Sequence, residues 1–274
     1  MSLLEGADRE RPILLVGCGR MGTALARGWL RHGLAPDALA IVEPAGRPPL
    51  PDDVLYRSSL AELPSALAPA AVVVAVKPQK IDSVLPSLDA LSAAEPLLLS
   101  IAAGIELATL RRALPAAVRA MPNLPASIGK GISAAVAGPG VSPAQRDLAD
   151  ALLAAAGEVV WLEDEALIDV VTAVSGSGPA YVFALAEAMA AAGQAEGLPE
   201  DVAGRLARAT VIGAAHLLEQ SGGSPESLRE QVTSPGGTTA AALEVLQSEG
   251  DLDSLLKQAV HAAARRSREL ARGG

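Results

Sequence analysis

Near its start the chain has glycines at the spacing of a loop that binds a dinucleotide. The segment Gly17 to Gly22 reads G-x-G-x-x-G, and it lies between the apolar run Ile13–Val16 and a helical pattern that begins at Thr23. In this context the first glycine permits a tight turn and the second lets a pyrophosphate approach the backbone, while the third lets the helix pack closely. An ordinary glycine-rich turn does not explain these offsets. The predicted cofactor contacts here are Gly17, Cys18, Gly19, Arg20, Met21 and Gly22.

An acidic residue, Glu43, follows the second apolar run, Leu39–Val42. A carboxylate at this position usually accepts hydrogen bonds from the adenosine ribose hydroxyls and repels a 2′-phosphate, so Glu43 by itself favours NADH. A side chain that only faces solvent is the alternative reading. Arg47 lies close enough in sequence to neutralise a 2′-phosphate. The sequence therefore predicts NADPH or NADH as the cofactor and leaves the choice open.

Further cofactor contacts are predicted at the ends of later strands, because ligands of parallel sheets bind beyond the carboxyl ends of the strands. Small residues after the run Leu97–Ala102 leave room for a flat nicotinamide ring. Asn123 lies between two prolines, which suits a positioning residue, although a plain turn is the alternative. Lys77 is equally well read as a solvated strand end. The predicted contacts are Val76, Lys77, Pro78, Ala102, Ala103, Gly104 and Asn123.

Composition and charge argue against several other functions. The formal net charge is −9 and the basic residues are thinly spread, which predicts no nucleic-acid partner. No segment approaches the roughly 20 apolar residues that span a bilayer, and the N-terminus lacks a signal-peptide pattern. We therefore expect no membrane partner and a cytoplasmic location.

Cys18 is the single cysteine in the sequence. We interpret it as a small buried residue, with a reactive thiol as the alternative. We predict no metal site.

The elements that hold these residues indicate an α/β fold. Short apolar runs alternate with helical stretches in the first half, which indicates a mostly parallel sheet covered on both faces. No strand signal survives beyond about residue 163. We therefore predict a doubly wound Rossmann domain over residues 1–163, followed by an all-α dimerisation and substrate domain over residues 164–274. The predicted strands are Ile13–Val16, Leu39–Val42, Ala71–Val76, Leu97–Ala102, Val118–Met121, Ile132–Val136 and Val159–Trp161.

Two segments of the helical half are unusual for a simple helix bundle. Residues 175–181 read Ser-Gly-Ser-Gly-Pro-Ala-Tyr, and residues 232–239 read Val-Thr-Ser-Pro-Gly-Gly-Thr-Thr. Each precedes or begins a helix. A Pro-Gly-Gly turn flanked by hydroxyls presents several hydrogen-bond donors in a small space, which suits a carboxylate. Two ordinary N-capped helices remain the alternative on spacing alone.

Taken together, these motifs resemble those of the pyrroline-5-carboxylate reductases from Ile13 to Leu270. The resemblance implies reduction of the cyclic imine 1-pyrroline-5-carboxylate to L-proline with NADPH or NADH. It also implies a homodimer, often assembled into a decamer, in which the helical halves interlock and share the active sites. The matching motifs are residues 75–79, 100–104, 121–123, 175–181 and 232–243.

The resemblance also implies roles for the residues of the helical half. Ser177 would contact the substrate, and Thr239 would act as the catalytic residue by bonding to the ring nitrogen. The imine is readily protonated near neutral pH, so no strong protein acid is required. This agrees with three histidines that lie outside every motif. Residues that would line the substrate carboxylate and ring nitrogen are Ser234, Gly236, Gly237 and Thr239.

Two departures and two alternatives accompany this hypothesis. Leu124 stands where the family commonly has Thr, and Ser58-Ser59 stand where it often has Asn near the adenosine. One alternative is a 3-hydroxyacid dehydrogenase with a catalytic lysine in its second domain. Lys257, however, lies far from the glycine segments in sequence. The other alternative is a non-catalytic regulator that binds a pyridine nucleotide, against which the intact residues 232–239 argue.

Overall fold

The computed structural model describes residues 7–248 and 252–271. The chain folds into two compact units. The first contains the chain through Gly176 together with the end of the chain from Ala263. The second runs from Ser177 to Ala262. The first unit is built around one sheet, and the second consists of helices.

The sheet of the first unit has eight strands in the order β3-β2-β1-β4-β5-β6-β7-β8. All neighbouring strands are parallel except β6 and β7, which are antiparallel. The strand order reverses direction between β1 and β4, as in a doubly wound fold. The predicted Rossmann class is therefore confirmed. The strands are β1 Ile13–Val16, β2 Leu39–Val42, β3 Leu55–Arg57, β4 Ala71–Val74, β5 Leu97–Ser100, β6 Ala117–Met121, β7 Gly131–Ala137 and β8 Gly157–Trp161.

Helices cover both faces of this sheet and make up the second unit. Short 3-10 segments complete several connections, and a π-helix spans Thr172–Gly176. The α-helices are α1 Arg20–Arg31, α2 Ile81–Val84, α3 Leu107–Leu110, α4 Pro143–Ala154, α5 Ile168–Val171, α6 Gly178–Ala195, α7 Glu200–Ser221, α8 Pro225–Gln231, α9 Thr238–Leu246 and α10 Leu252–Ala271.

The core consists of two apolar layers, one on each face of the sheet. Successive residues of β1 alternate between them: Leu15 packs in the layer that contains Trp29, and Leu14 packs in the layer that contains Ile81. Trp29 is fully buried, and its indole N–H donates to the Leu152 carbonyl at 2.8 Å. Because both faces are covered, the strands read as continuous apolar runs in the sequence.

Some elements differ from the predictions. The strands predicted to reach Val76 and Ala102 end at Val74 and Ser100, so their last residues belong to loops. β3 was not predicted because it is a short, half-exposed strand with no continuous apolar run. α4 was not predicted either, although Ser142 and Gln145 form a capping box at its start.

The division between the units lies after Gly176, whereas the predicted domain boundary is at residue 163. The segment beyond residue 163 packs onto the sheet, and its Ile168 is buried in the same layer as Leu14. The end of α10 also belongs to the first unit. There Ser267 donates to an Asp169 carboxylate oxygen at 2.6 Å.

The second unit leaves much apolar surface exposed within one chain. Phe183 on α6, Leu206 on α7 and Val245 on α9 are each more than half exposed. One helical stretch, Glu165–Ala195, is long and apolar enough to cross a membrane by length and composition alone, contrary to the sequence-based expectation. The same properties suit a helix that is covered by another subunit.

Candidate functional site

The glycine loop joins β1 to α1 at the carboxyl edge of the sheet, where the strand order reverses. The Gly17 N–H donates to the Val42 carbonyl, and the Ala75 N–H donates to the Val16 carbonyl, both at 2.8 Å. These bonds tie the loop to β2 on one side and to the end of β4 on the other. Ligands of such sheets bind at this crevice.

The three glycines of the loop differ in their steric surroundings. Gly17 has φ +91°, and a Cβ there would lie 2.8 Å from a methyl carbon of Val76. A Cβ on Gly22 would collide with the Gly17 carbonyl oxygen, so this glycine lets α1 start directly on the loop. A Cβ on Gly19 would meet no atom within 4 Å, so this position opens onto free space. The three positions have the steric environments that the motif requires.

Glu43 interacts directly with the glycine loop. Its carboxylate accepts a hydrogen bond from the Cys18 N–H at 2.7 Å through Oε2, and from the Ala45 N–H at 2.9 Å through Oε1. The side chain is half-buried, and it does not simply face solvent. Sequence reasoning placed Glu43 near the adenosine but did not foresee that it holds the loop.

Cys18 is buried in the loop. Its Sγ lies 3.5 Å from the Thr23 hydroxyl, and that hydroxyl donates to the Cys18 carbonyl at 2.9 Å. Burial raises the pKa of the Cys18 thiol, and the nearby Glu43 charge raises it further. A raised pKa disfavours the reactive thiolate. The interpretation of Cys18 as a packing residue is therefore preferred.

A cleft of about 960 Å³ opens beside the loop. Its walls come from the ends of β1, β2 and β4 and from the segments that follow them. Among the predicted cofactor residues, those that line it are Gly17, Cys18, Gly19, Glu43, Val76 and Lys77. Residues on its wall that the sequence did not single out include Thr23, Lys80, Ser83 and Ser87. Lys80 follows Lys77 by one turn of 3-10 helix. This spacing places both lysines on one side of the segment and could have identified Lys80 as a residue of the cleft.

The remaining predicted cofactor residues lie elsewhere in the first unit. Arg20 and Ala103 are exposed, and Met21 packs against the core. Gly22 and Ala102 are buried, and Gly104 has φ +75°. Pro78 starts the 3-10 segment after β4. None of them lines this cleft.

Asn123 joins three parts of the first unit. Its side-chain oxygen accepts from the Ile132 N–H at 3.0 Å, and its side-chain amide donates to the Ser175 carbonyl at 3.2 Å. Asn123 is buried. Its side chain therefore ties the end of β6 to β7 and to the π-helix. This is a positioning role, and contact with a cofactor stays a prediction.

Arg47 does not reach the cleft. Its guanidinium donates to the carbonyls of Pro51, Asp52 and Val54 at 2.8–3.3 Å and lines a different cavity. The expectation that Arg47 is available to neutralise a 2′-phosphate is therefore not met in this structure.

The glycine-rich segment of the second unit forms a tight turn before α9. Gly236 has φ +67°, and the Gly237 N–H donates to the Ser234 carbonyl at 3.0 Å. Gly237 is the N-cap of α9, and no side chain caps the helix there. The first N–H groups of α9 therefore receive no hydrogen-bond acceptor from an N-cap side chain. Ser177, also in the second unit, is the N-cap of α6.

Comparison with known proteins decides what these two segments belong to. The chain is 41% identical to pyrroline-5-carboxylate reductase of Synechocystis over 93% of its own length and 97% of the relative's. It is also 41% identical to that of Pseudomonas aeruginosa, covering 94% and 96%. The chain belongs to the pyrroline-5-carboxylate reductase family.

Matches to conserved domains and solved structures agree with this family. A family model described as "Pyrroline-5-carboxylate reductase dimerisation" matches residues 165–270. A second family model, "NADP oxidoreductase coenzyme F420-dependent", matches residues 12–104. The Coxiella burnetii pyrroline-5-carboxylate reductase structure superposes with a TM-score of 0.85 at 32% identity, covering 95% of this chain and 98% of that one. A Plasmodium falciparum pyrroline carboxylate reductase with NADP bound gives 0.77 at 26%, covering 96% and 99%.

Family membership selects among the sequence-based hypotheses. The chain is an NAD(P)H-dependent oxidoreductase that acts on a small molecule, and it carries the dimerisation region of its family. The hydroxyacid dehydrogenase that would use Lys257, and the non-catalytic regulator, are not supported. Lys257 is an exposed residue of α10.

Proposed function

We infer that this chain reduces 1-pyrroline-5-carboxylate to L-proline. The observation that carries this inference is the match to pyrroline-5-carboxylate reductases over almost the whole chain, combined with a glycine loop that opens onto a cleft of suitable size. This activity is the last step of proline biosynthesis.

The first unit fits a nicotinamide dinucleotide. Gly19 opens onto free space beside the start of α1, where main-chain N–H groups and the helix dipole favour a pyrophosphate. When bound, NADH or NADPH supplies the hydride that is added to the carbon of the C=N bond. Arg20, Met21, Gly22, Pro78, Ala102, Ala103, Gly104 and Asn123 stay proposed as residues that contact or shape this site.

The second unit supplies the proposed substrate site. The turn at Gly236 and the uncapped start of α9 present main-chain donors, which suit the substrate carboxylate. Ser234, Gly237 and Ser177 are proposed to line the same site. α9 has nine residues, so its dipole adds to these donors.

We propose that Thr239 bonds the ring nitrogen, directly or through a water molecule. Thr239 lies in the first turn of α9 and is half-buried. The imine carries its own proton near neutral pH, so the hydroxyl orients this proton and need not supply it. His32 contacts the Gly28 carbonyl through Nδ1 and does not line the cleft.

We propose a homodimer formed through the second unit, and a decamer as the higher assembly. The exposed apolar side chains of α6, α7 and α9 support an interface between copies of this chain. Light scattering should give twice or ten times the chain mass of 27.6 kDa. A monomer would contradict the proposal. A cytoplasmic location is proposed on the basis of the biosynthetic activity.

The direct test is a steady-state assay with pyrroline-5-carboxylate. We expect consumption of reduced nicotinamide and formation of proline in equal amounts. A matched reaction without the imine controls for background oxidation. No consumption of either NADH or NADPH would overturn the proposed function.

A further inference from the structure

Because the cofactor cleft holds a fixed carboxylate and, among the described residues that line it, no arginine, we propose that this chain selects NADH over NADPH and that Glu43 determines the selection. The inference rests on the proposed function, whose cofactor it specifies. The proposed preference differs from the cofactor seen in the Plasmodium falciparum relative, whose structure has NADP bound.

The position of the Glu43 carboxylate is fixed by the main chain. It accepts from the Cys18 and Ala45 N–H groups at 2.7 and 2.9 Å, and it lines the cleft. Each of its oxygens retains a further lone pair for a ribose hydroxyl. A ribose hydroxyl can donate to this carboxylate, whereas a phosphate ester in the same place brings a second negative charge close to it.

The cleft wall formed by the segments that follow β2 and β3 contains no compensating cation among the described residues. The lining there consists of Glu43 to Gly46, Pro48, Pro49 and Ser58 to Ala61. A 2′-phosphate carries a charge of about −1.5 to −2 near neutral pH and needs such a cation. Ser58 does not provide a free donor, because its hydroxyl and N–H both donate to the Glu62 carboxylate, at 2.7 and 3.1 Å.

The arginines that follow β2 and end β3, Arg47 and Arg57, are used elsewhere. The Arg47 guanidinium donates to main-chain carbonyls of residues 51–54, and Arg57 donates to the carbonyls of Tyr56 and Glu62. Both line the separate cavity beside β3. Using either on a phosphate would break these hydrogen bonds.

The two lysines of the cleft lie on its other side. Lys77 and Lys80 follow β4, and β1 lies between β4 and β2. With neighbouring strands about 4.8 Å apart, the ends of β2 and β4 are about 10 Å from each other. From there the lysines suit the pyrophosphate better than a group beside Glu43.

Titration calorimetry with NAD⁺ and NADP⁺ tests the inference without catalysis. We expect the dissociation constant of NADP⁺ to be at least about tenfold higher than that of NAD⁺, because like charges are brought together. Steady-state kcat/KM for NADH and NADPH should differ in the same direction. Equal affinities, or tighter binding of NADP⁺, would overturn the inference.

Variants separate the charge of Glu43 from its hold on the loop. Glu43→Gln keeps an acceptor for one N–H and should reduce the NAD⁺ preference several-fold. Ala45→Arg keeps Glu43 and adds a cation to the same wall, so NADP⁺ binding should tighten. Asp53→Asn removes a charge in the separate cavity and should leave the ratio unchanged within about twofold. An unchanged ratio in both cleft variants would exclude Glu43 as the determinant.

The outcomes also separate this inference from the proposed function. If nucleotides bind but the imine is not reduced, the proposed function is wrong. The ratio of the NAD⁺ and NADP⁺ dissociation constants still tests the cofactor preference. If the imine is reduced with NADPH preferred, the function stands and the NADH inference is wrong.

Discussion

Arg119 and Glu165 form an ion pair of 2.7 Å that joins strand β6 to the segment after β8. The Arg119 side chain is 5% exposed and that of Glu165 is 29% exposed. The same Glu165 oxygen accepts from the Leu107 N–H at 2.8 Å, at the start of α3. One carboxylate therefore holds together β6, α3 and the segment after β8.

Removal of Glu165 should destabilise the first unit strongly. Glu165→Ala leaves the Arg119 guanidinium buried without its partner, and we expect the free energy of unfolding to fall by about 3 kcal/mol. Urea denaturation followed by circular dichroism measures this change. Glu163→Ala, an exposed carboxylate two residues earlier, is the control and should change stability by less than about 0.5 kcal/mol. Equal effects of the two variants would contradict a structural role for the ion pair.

Substitution of two glycines of the loop should separate binding from folding. Gly19→Ala adds a Cβ into free space, so the melting temperature should stay unchanged while cofactor affinity falls at least about tenfold. Gly22→Ala adds a Cβ against the Gly17 carbonyl and should lower stability as well. Thermal melting and titration of the nucleotide measure the two effects. Unchanged affinity in Gly19→Ala would place the pyrophosphate elsewhere.

Loss of the Thr239 hydroxyl should affect catalysis and leave the fold intact. We expect Thr239→Ala to lower kcat/KM by about 10–1000-fold, because a positioned hydrogen bond in the transition state is lost. Thr239→Ser should recover most of the activity, and Thr238→Ala, at the exposed neighbouring position, is the matched control. Wild-type kinetics in Thr239→Ala would remove Thr239 from the mechanism.

Cys18 should react slowly with alkylating reagents. Burial raises the pKa of its thiol, so the reactive thiolate is scarce at neutral pH. We expect iodoacetamide to modify the native protein at least about tenfold more slowly than the urea-unfolded chain at the same pH. Rapid native-state modification would restore the alternative of a reactive thiol.

The raised pKa of Cys18 also predicts the sign of a pH effect on stability. The folded state keeps the thiol proton to higher pH than the unfolded state does. The associated stability is therefore complete below the unfolded pKa and is lost as pH rises through the folded pKa. Comparison of Cys18→Ala with the wild type by urea denaturation, at neutral and alkaline pH, isolates this contribution. An alkaline loss that is identical in the variant would assign it to other groups.

The sequence by itself determined the Rossmann class, the glycine loop and the family. These features are local: buried parallel strands give continuous apolar runs, and the glycine spacing follows from the backbone of one turn. The short strand β3 was missed because its half-exposed residues, among them Tyr56 and Arg57, give no apolar run. The contacts of residues 164–176 with the sheet could not be predicted from the sequence, because the buried contacts of Ile168 and the Arg119–Glu165 pair join residues distant in sequence.

Only the tertiary structure decided how the charged side chains around the cleft are used. Glu43 and Cys18 are 25 residues apart in the chain, and their hydrogen bond exists because β1 and β2 are neighbours in the sheet. Arg47 is near Glu43 in sequence, yet its guanidinium binds the carbonyls of residues 51–54 and leaves the cleft without that cation. Sequence proximity made Arg47 a candidate, but the direction of a side chain depends on the hydrogen-bond acceptors that the fold places around it.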